Sequence, residues 1–400
     1  MENHYNQGPN KFWVPDKAFP GFYLPSIQSI LKLFGLPHNI PLILQEAEDH
    51  SGLDSKISRT QMYKMVSKGI SWEHRESFLG FCRQILPMDF DVGEMAETFS
   101  RSYAAGSNAG AWIAALQGYS QTEAYSFDLP VIEFMRGRAE TDLAFLESSK
   151  SNKIGKKDHI IQVEWLADFV SKNTLVDIDV IQKAIQAHSK IIYPGDYSRL
   201  EEGDYLNIFR FNFSLEADFY LSIVTIYDLA MHAQFFGEAI KNNHSSFQKI
   251  AAKYVKSKNI RNLFEGALDT IRCQNLDPEN KPVSWGALAD HIDTSDPRNL
   301  MNKWRRGKER PAPYTLSSLI NNVDCPKTQA EKFITAQNTK ASIALDKLLS
   351  GWGSAGEELL NELDHLNIQI AEEQMNDLIK EVVGGLDKFY ETYSYRNDKR

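Results

Sequence analysis

The chain is predicted to be mainly α, a multi-helical protein of two to three domains. Three observations lead there. Apolar residues recur every three or four positions in nearly every segment, which is the signature of half-buried helices. Cap residues and glycines punctuate those segments where helices start and stop. Alternating apolar and polar runs are scarce, and NIFRFNF at 207–213 is the single strand candidate.

The first seventeen residues, with Pro9 and Pro15, are predicted to form an extended arm. The pattern SIQSILKLFGL predicts a helix over 24–36, and further helices follow at 40–50, 58–68 and 73–86. The Ala-rich stretch 94–118 predicts two short helices broken at Gly106. A helix over 131–148 runs into ESSKSNKIGKKDH, a polar, lysine-rich linker. Helices at 159–172 and 177–190 precede a turn-rich segment, YPGDYSRLEEGDY. Helices at 206–241, 245–257 and 259–273 lead to a second boundary at 274–283. The chain then passes through 284–325 to helices at 327–349 and 357–393. In the last of these Leu359, Leu363, Leu366, Ile370, Leu378, Val382 and Leu386 predict one buried stripe. The expected domains are 18–148, 159–275, the 284–325 module and the 327–395 helices.

An apolar share of 42% over 400 residues supports sizeable cores and excludes a disordered chain. The net charge of −9 excludes a protein that coats nucleic acid over its whole surface, so any such contact must be local. Three cysteines, Cys82, Cys273 and Cys325, are odd in number and far apart. They indicate neither a disulfide framework nor a zinc site, and a reducing cytoplasm is expected. The start MENHYNQGPNKFW lacks the apolar run of a signal peptide. The most apolar run, 219–236, contains Asp228 and His232 and is predicted to be a buried helix and not a membrane span.

The segment SWGALADHIDTSDPRNLMNKWRRGKERPAPYTLSSLINNVDC at 284–325 is the most informative. Leu288, Ala289 and Ile292 supply a first apolar face, and Ala289 lets two helices approach closely. Trp304, Gly307, Lys308 and Pro311 mark the end of a second helix, while Leu316, Leu319 and Ile320 supply a third. Asp296-Pro297 is a helix start, so the turn before the second helix is predicted to be longer than a tight one. The pattern resembles a helix-turn-helix of the lambda-repressor-like (Cro/repressor) class. That resemblance implies a recognition helix in the major groove, with Arg298, Asn299, Asn302 and Lys303 facing bases. Arg305, Arg306, Lys308 and Arg310 then face phosphates. Trp285 and Trp304 are expected to hold the module's small core.

A second, weaker copy lies at 57–86. Ser58 is a good N-cap and Gly69 a good helix end, with Phe78, Leu79, Cys82 and Ile85 at helical spacing. Its candidate contact residues are Arg59, Gln61, Lys64 and Lys68. Met62 and Lys64 align with Met301 and Lys303 at one offset.

Chemical motifs are sparse. GWGSAG at 351–356 matches a dinucleotide loop but lacks the surrounding strand–helix unit, and is expected to be a connection. Glu362 and His365 form one Glu-x-x-His where a di-iron bundle needs two. Asp228 and His232 are spaced to touch on one helix and are expected to be a satisfied core pair. No catalytic residue, metal site or cofactor is assigned. The expected function is a cytoplasmic DNA-binding regulator or recruiting factor of bacterial or mobile-element type, with a protein partner or second copy and no membrane. The alternatives are a helical scaffold that binds an acidic protein, and an enzyme whose site is assembled from distant residues, seeded by Asp228 and His232.

Overall fold

A computed structural model describes residues 11–12, 23–67, 70–85, 91–120, 128–151, 159–191, 199–237, 246–351 and 370–397. These are mainly helical. Among them the only sheet is a two-residue antiparallel ladder, Lys11–Phe12 (β1) with Ile70–Ser71 (β2). The described residues fall into two compact units, one reaching to Glu216 and the other beginning at Ala217.

The first unit opens with α1 (Ile27–Leu33), α2 (Ile40–Ser51), α3 (Arg59–Ser67) and α4 (Trp72–Ile85). Asn39 caps α2 by accepting the Leu42 N–H at 3.0 Å, and Gly52 ends it in the left-handed conformation at φ +68°. Leu44, Ile57, Met62, Phe78, Leu79 and Cys82 from α2, α3, α4 and their linker form one apolar core. Next come α5 (Val92–Ala105) and α6 (Ala109–Ser120), broken at Gly106 with φ +73°, as its position predicts. Gly110 lets those two helices meet closely, since a Cβ there would come 3.2 Å from the Phe99 Cα.

Three further helices follow, α7 (Leu129–Ser151), α8 (His159–Asn173) and α9 (Ile178–His188), and then α10 (Glu202–Phe236). On α7 the buried Arg138 stacks 3.8 Å over the Tyr23 ring and donates to the Tyr23 carbonyl at 3.3 Å. Val170, Ile181, Ala184, Phe211 and Leu215 pack α8, α9 and the start of α10 together.

The strand candidate at 207–213 is corrected: it lies inside α10, a helix of 35 residues. Ile208, Phe209, Phe211, Asn212 and Phe213 are all buried, because α10 is covered on nearly every side there. A helix buried all round shows no single apolar face, and a short piece of it can mimic strand alternation.

The second unit takes the rest of α10 with α11 (Ser246–Lys256), α12 (Leu263–Gln274), α13 (Trp285–Ala289), α14 (Pro297–Arg305), α15 (Pro313–Asn322) and α16 (Gln329–Gly351). It closes with α17 (Glu372–Gly384) and α18 (Leu386–Asn397). The helix expected at 357–393 is therefore two helices over its described part, parted at Gly385. Their buried stripe is Ile379, Val383, Leu386, Phe389 and Tyr393, shifted from the expected Leu378 and Val382, which are only half-buried. Leu359, Leu363 and Leu366 lie outside the described residues.

Candidate nucleic-acid interface

Ser284 caps α13 by accepting the Ala287 N–H at 3.1 Å. Asp296 caps α14, with Pro297 at its first turn, so the turn between them spans residues 290–296. Leaving α14, the Lys308 N–H donates to the Lys303 carbonyl and the Gly307 N–H to the Trp304 carbonyl, both at 3.0 Å. Gly307 sits at φ +66°, where a side chain would be strained. This is a Schellman end, and it accounts for glycine at the Trp-x-x-Gly-Lys position.

The side chains of α14 divide cleanly. Met301 and Trp304 point into a core with Leu288, Ala289, Ile292, Leu316, Leu319 and Ile320. Trp304 is 1% exposed, so it holds the core as its sequence position suggests. That core does not stop at 274–283: Phe264, Leu268 and Ile271 of α12 belong to it, and the Phe264 and Trp304 rings lie 6.2 Å apart. Trp285 is half-buried at its edge.

Arg298, Asn299, Asn302, Lys303 and Arg306 are exposed and form the outward face, with Lys308 just beyond. Arg298 is held by Asp290 through two contacts at 3.2 and 3.0 Å. That hydrogen-bonded pairing holds the Asp290 carboxyl below its ordinary range and Arg298 above its own. Lys303 meets Glu309 at 3.1 Å. Both pairs are solvent-exposed, the kind that contributes little to stability and exchanges readily. Asn299, Asn302, Arg306 and Lys308 have no side-chain partner among the described residues.

The other two predicted phosphate contacts are turned inward. Arg305 donates to the buried Glu265 at 3.0 Å and stacks 4.0 Å over the Trp285 ring. Arg310 lies 3.6 Å from the buried Asp346. Asp346 in turn accepts the Leu263 and Phe264 N–H groups, both at 2.9 Å, at the start of α12.

The same bracket brings in cations that sequence reasoning missed. The second oxygen of Glu265 accepts the Arg261 N–H at 3.0 Å, and Asn262 donates to the Arg305 carbonyl at 3.5 Å. The 258–262 loop thus lies against the end of α14. Its exposed Lys258 and Arg261 extend the patch of Arg306 and Lys308. The signal was present: KYVKSKNIR at 253–261 holds four cations and no acid. The opposite end of α14 is acidic, with Asp290, Asp293 and Asp296 exposed, so anions are favoured at the C-terminal end of the helix.

In the first unit, Arg59 and Lys64 are exposed on α3. Gln61 is committed locally, its Oε1 accepting the Ser58 N–H at 2.9 Å and its Nε2 meeting His74 Nε2. Lys68 and Gly69 lie outside the described residues.

The remaining candidates behave as core or fall outside. Asp228 is fully buried and accepts from Asn338 at 2.9 Å and Tyr390 at 2.6 Å. His232 Nδ1 lies 2.8 Å from the Asp228 carbonyl oxygen and 3.2 Å from its carboxylate. Burial pushes His232 down, but its hydrogen bond to Asp228 and that group's charge hold it above its ordinary value. Asp228 has no solvent face from which to act on a substrate. A groove of about 710 Å³ beside α11 has a self-paired lining, Lys253 with Asp269 at 2.9 Å and Gln248 with Asp387 at 3.0 Å. GWGSAG beyond Gly351, and Glu362 with His365, lie outside the described residues. Among the described residues no group of side chains could hold a metal, and no helix is long and apolar enough to cross a membrane. No protein-family model, curated protein or solved structure matches the chain.

Proposed function

We propose that the chain is a DNA-binding protein, a regulator or recruiting factor, that engages duplex DNA through α14 and the cations at its C-terminal end. The observation that carries this reading is the outward face of α14. Arg298, Asn299, Asn302, Lys303 and Arg306 share it without an acidic residue, while the opposite face is anchored in the core. Amides on such a face can pair with adenine edges. Lys258, Arg261, Arg306 and Lys308 supply local positive charge in an acidic chain, and phosphate binding needs such a cluster.

The test is duplex affinity across a salt series. Arg306→Ala/Lys308→Ala should weaken binding to all sequences and flatten the logarithmic salt slope by about two phosphate equivalents. Unchanged affinity and slope would remove α14 from a DNA interface.

A second reading, an adaptor that binds an acidic protein segment, is favoured by one observation. Arg298 and Lys303 already hold carboxylates, those of Asp290 and Glu309. An acidic peptide that competes with duplex and binds more tightly than it would favour the adaptor.

A further inference from the structure

The two compact units each contain the same small arrangement. In the first, α2 is followed by seven residues (52–58), the nine-residue α3, the two-residue strand β2 and then α4. In the second, α13 is followed by seven residues (290–296), the nine-residue α14 and then α15. Each second helix starts at a side-chain cap. Ser58 Oγ accepts the Gln61 N–H at 3.3 Å, and Asp296 Oδ1 accepts the Asn299 N–H at 3.4 Å.

The correspondence extends to single residues. Arg59, Met62 and Lys64 stand at one offset from Arg298, Met301 and Lys303. Over 59–64 and 298–303 the six positions have the same burial in order: exposed, exposed, half-buried, buried, exposed, exposed. Each methionine packs between the preceding and following helices. Met62 joins Leu44 and Phe78, and Met301 joins Leu288 and Leu319. On both helices the lysine, two positions after the buried methionine, lies on the opposite side, and the arginine three positions before it is exposed. Arg59, Thr60 and Lys64 have no partner among the described residues, and Tyr63 beside them is half exposed. The outward face of α3 therefore carries Arg59 and Lys64 and no acid, as that of α14 carries Arg298 and Lys303 and no acid.

We propose that α3 is a second duplex-contacting helix, so that one chain engages two DNA segments at once, one through each compact unit. This rests on the reading of α14 given above. Two weak local contacts on one chain gain from effective concentration, because the second binding step becomes intramolecular. Such a gain suits a protein whose overall charge of −9 gives no general attraction to DNA.

The experiment uses the full chain and two short duplexes, one carrying a donor dye and one an acceptor. Binding to a single duplex is read by anisotropy, stoichiometry by titration, and bridging by energy transfer between the two duplexes. The wild-type chain should bridge them, at about two duplexes per chain. Arg59→Ala/Lys64→Ala changes only exposed side chains. It should keep one-duplex binding through α14, lose the energy transfer and fall to about one duplex per chain. Bridging by this variant at the wild-type level would overturn the inference while leaving α14 as a DNA contact, since pairing of chains would then account for it. Absence of transfer with the wild-type chain would overturn it as well. Arg306→Ala/Lys308→Ala, with wild-type affinity and wild-type bridging, would instead remove the reading on which the inference rests.

Discussion

Glu265 and Arg305 form an ion pair at 3.0 Å in which the carboxylate is 1% exposed and the arginine side chain 25%. The pair joins the first turn of α12 to the last turn of α14. The other Glu265 oxygen holds the Arg261 N–H, so one buried carboxylate fixes both halves of the cationic patch.

Removing Arg305 would leave a buried charge without its partner. Arg305→Ala should therefore destabilise the second unit by about 2–4 kcal/mol, the lower end reflecting the exposed part of the arginine. Glu265→Gln in the Arg305→Ala background should recover part of that loss. A double-mutant cycle in denaturant would show coupling between the two positions. Additive losses would mean that Arg305 acts mainly through its stacking on Trp285.

Trp304 fills the space between α12, α13 and α15. Trp304→Ala should cost roughly 3–5 kcal/mol, with hydrogen exchange rising across 284–325. Its indole N–H is buried without an acceptor. Trp304→Phe removes that unpaired donor and leaves a smaller void, so its cost should be about 1–2 kcal/mol. Equal losses for the two variants would indicate that the ring does not pack as described.

On the proposed reading, the amides of α14 meet bases and the cations at its C-terminal end meet phosphates. Asn299→Ala and Asn302→Ala should alter preference among duplex sequences and leave the salt slope near its wild-type value. Lys258→Ala/Arg261→Ala should do the reverse, lowering affinity for all sequences and the slope by up to about two units. Measuring both variant pairs on matched and scrambled duplexes at several salt concentrations separates these effects. A Lys258/Arg261 variant with an unchanged slope would confine the contact to α14 itself.

Periodicity alone located most helices, because half-buried helices such as α11 display their apolar face in the sequence. It misread 207–213 because α10 is buried on nearly all sides, leaving no contrast between faces. It also placed the C-terminal stripe one residue off, at Leu378 and Val382, since apolar residues stand side by side on α17, Leu378 with Ile379 and Val382 with Val383. On the candidate site, Gly307 and Trp304 were legible because a left-handed helix end and a large core residue leave residue-specific marks. The inward turn of Arg305 and Arg310 was not legible. It depends on Glu265 and Asp346, which lie 40 and 36 residues away in sequence, and an arginine bound to a buried carboxylate looks in sequence like one facing solvent.

Asp346 should give the second unit a distinct dependence on pH. Burial pushes its carboxyl up to about 6 from an ordinary 3.8, although the Phe264 and Leu263 N–H groups and Arg310 all pull it down. The folded state therefore binds this proton more tightly than the unfolded chain does. The resulting stabilisation is fully present below about pH 4 and is lost as pH rises through about 6. A shift of that size corresponds to about 3 kcal/mol at most. Asp142 on α7 is raised to about 6 mainly by burial as well, so it adds a loss of the same sign in the first unit. Asp346→Asn should lower stability at acid pH, because its amide nitrogen, unlike the hydroxyl oxygen of the protonated acid, cannot accept an α12 N–H. It should also remove its own share of the decline between pH 4 and 6 and leave the Asp142 share in place. Carbon-detected titration of the Asp346 carboxyl in the folded protein reads the cause directly. A midpoint near 4 would mean that the two N–H groups and Arg310 outweigh burial, and the Asn variant would then show the same pH profile as the wild-type chain.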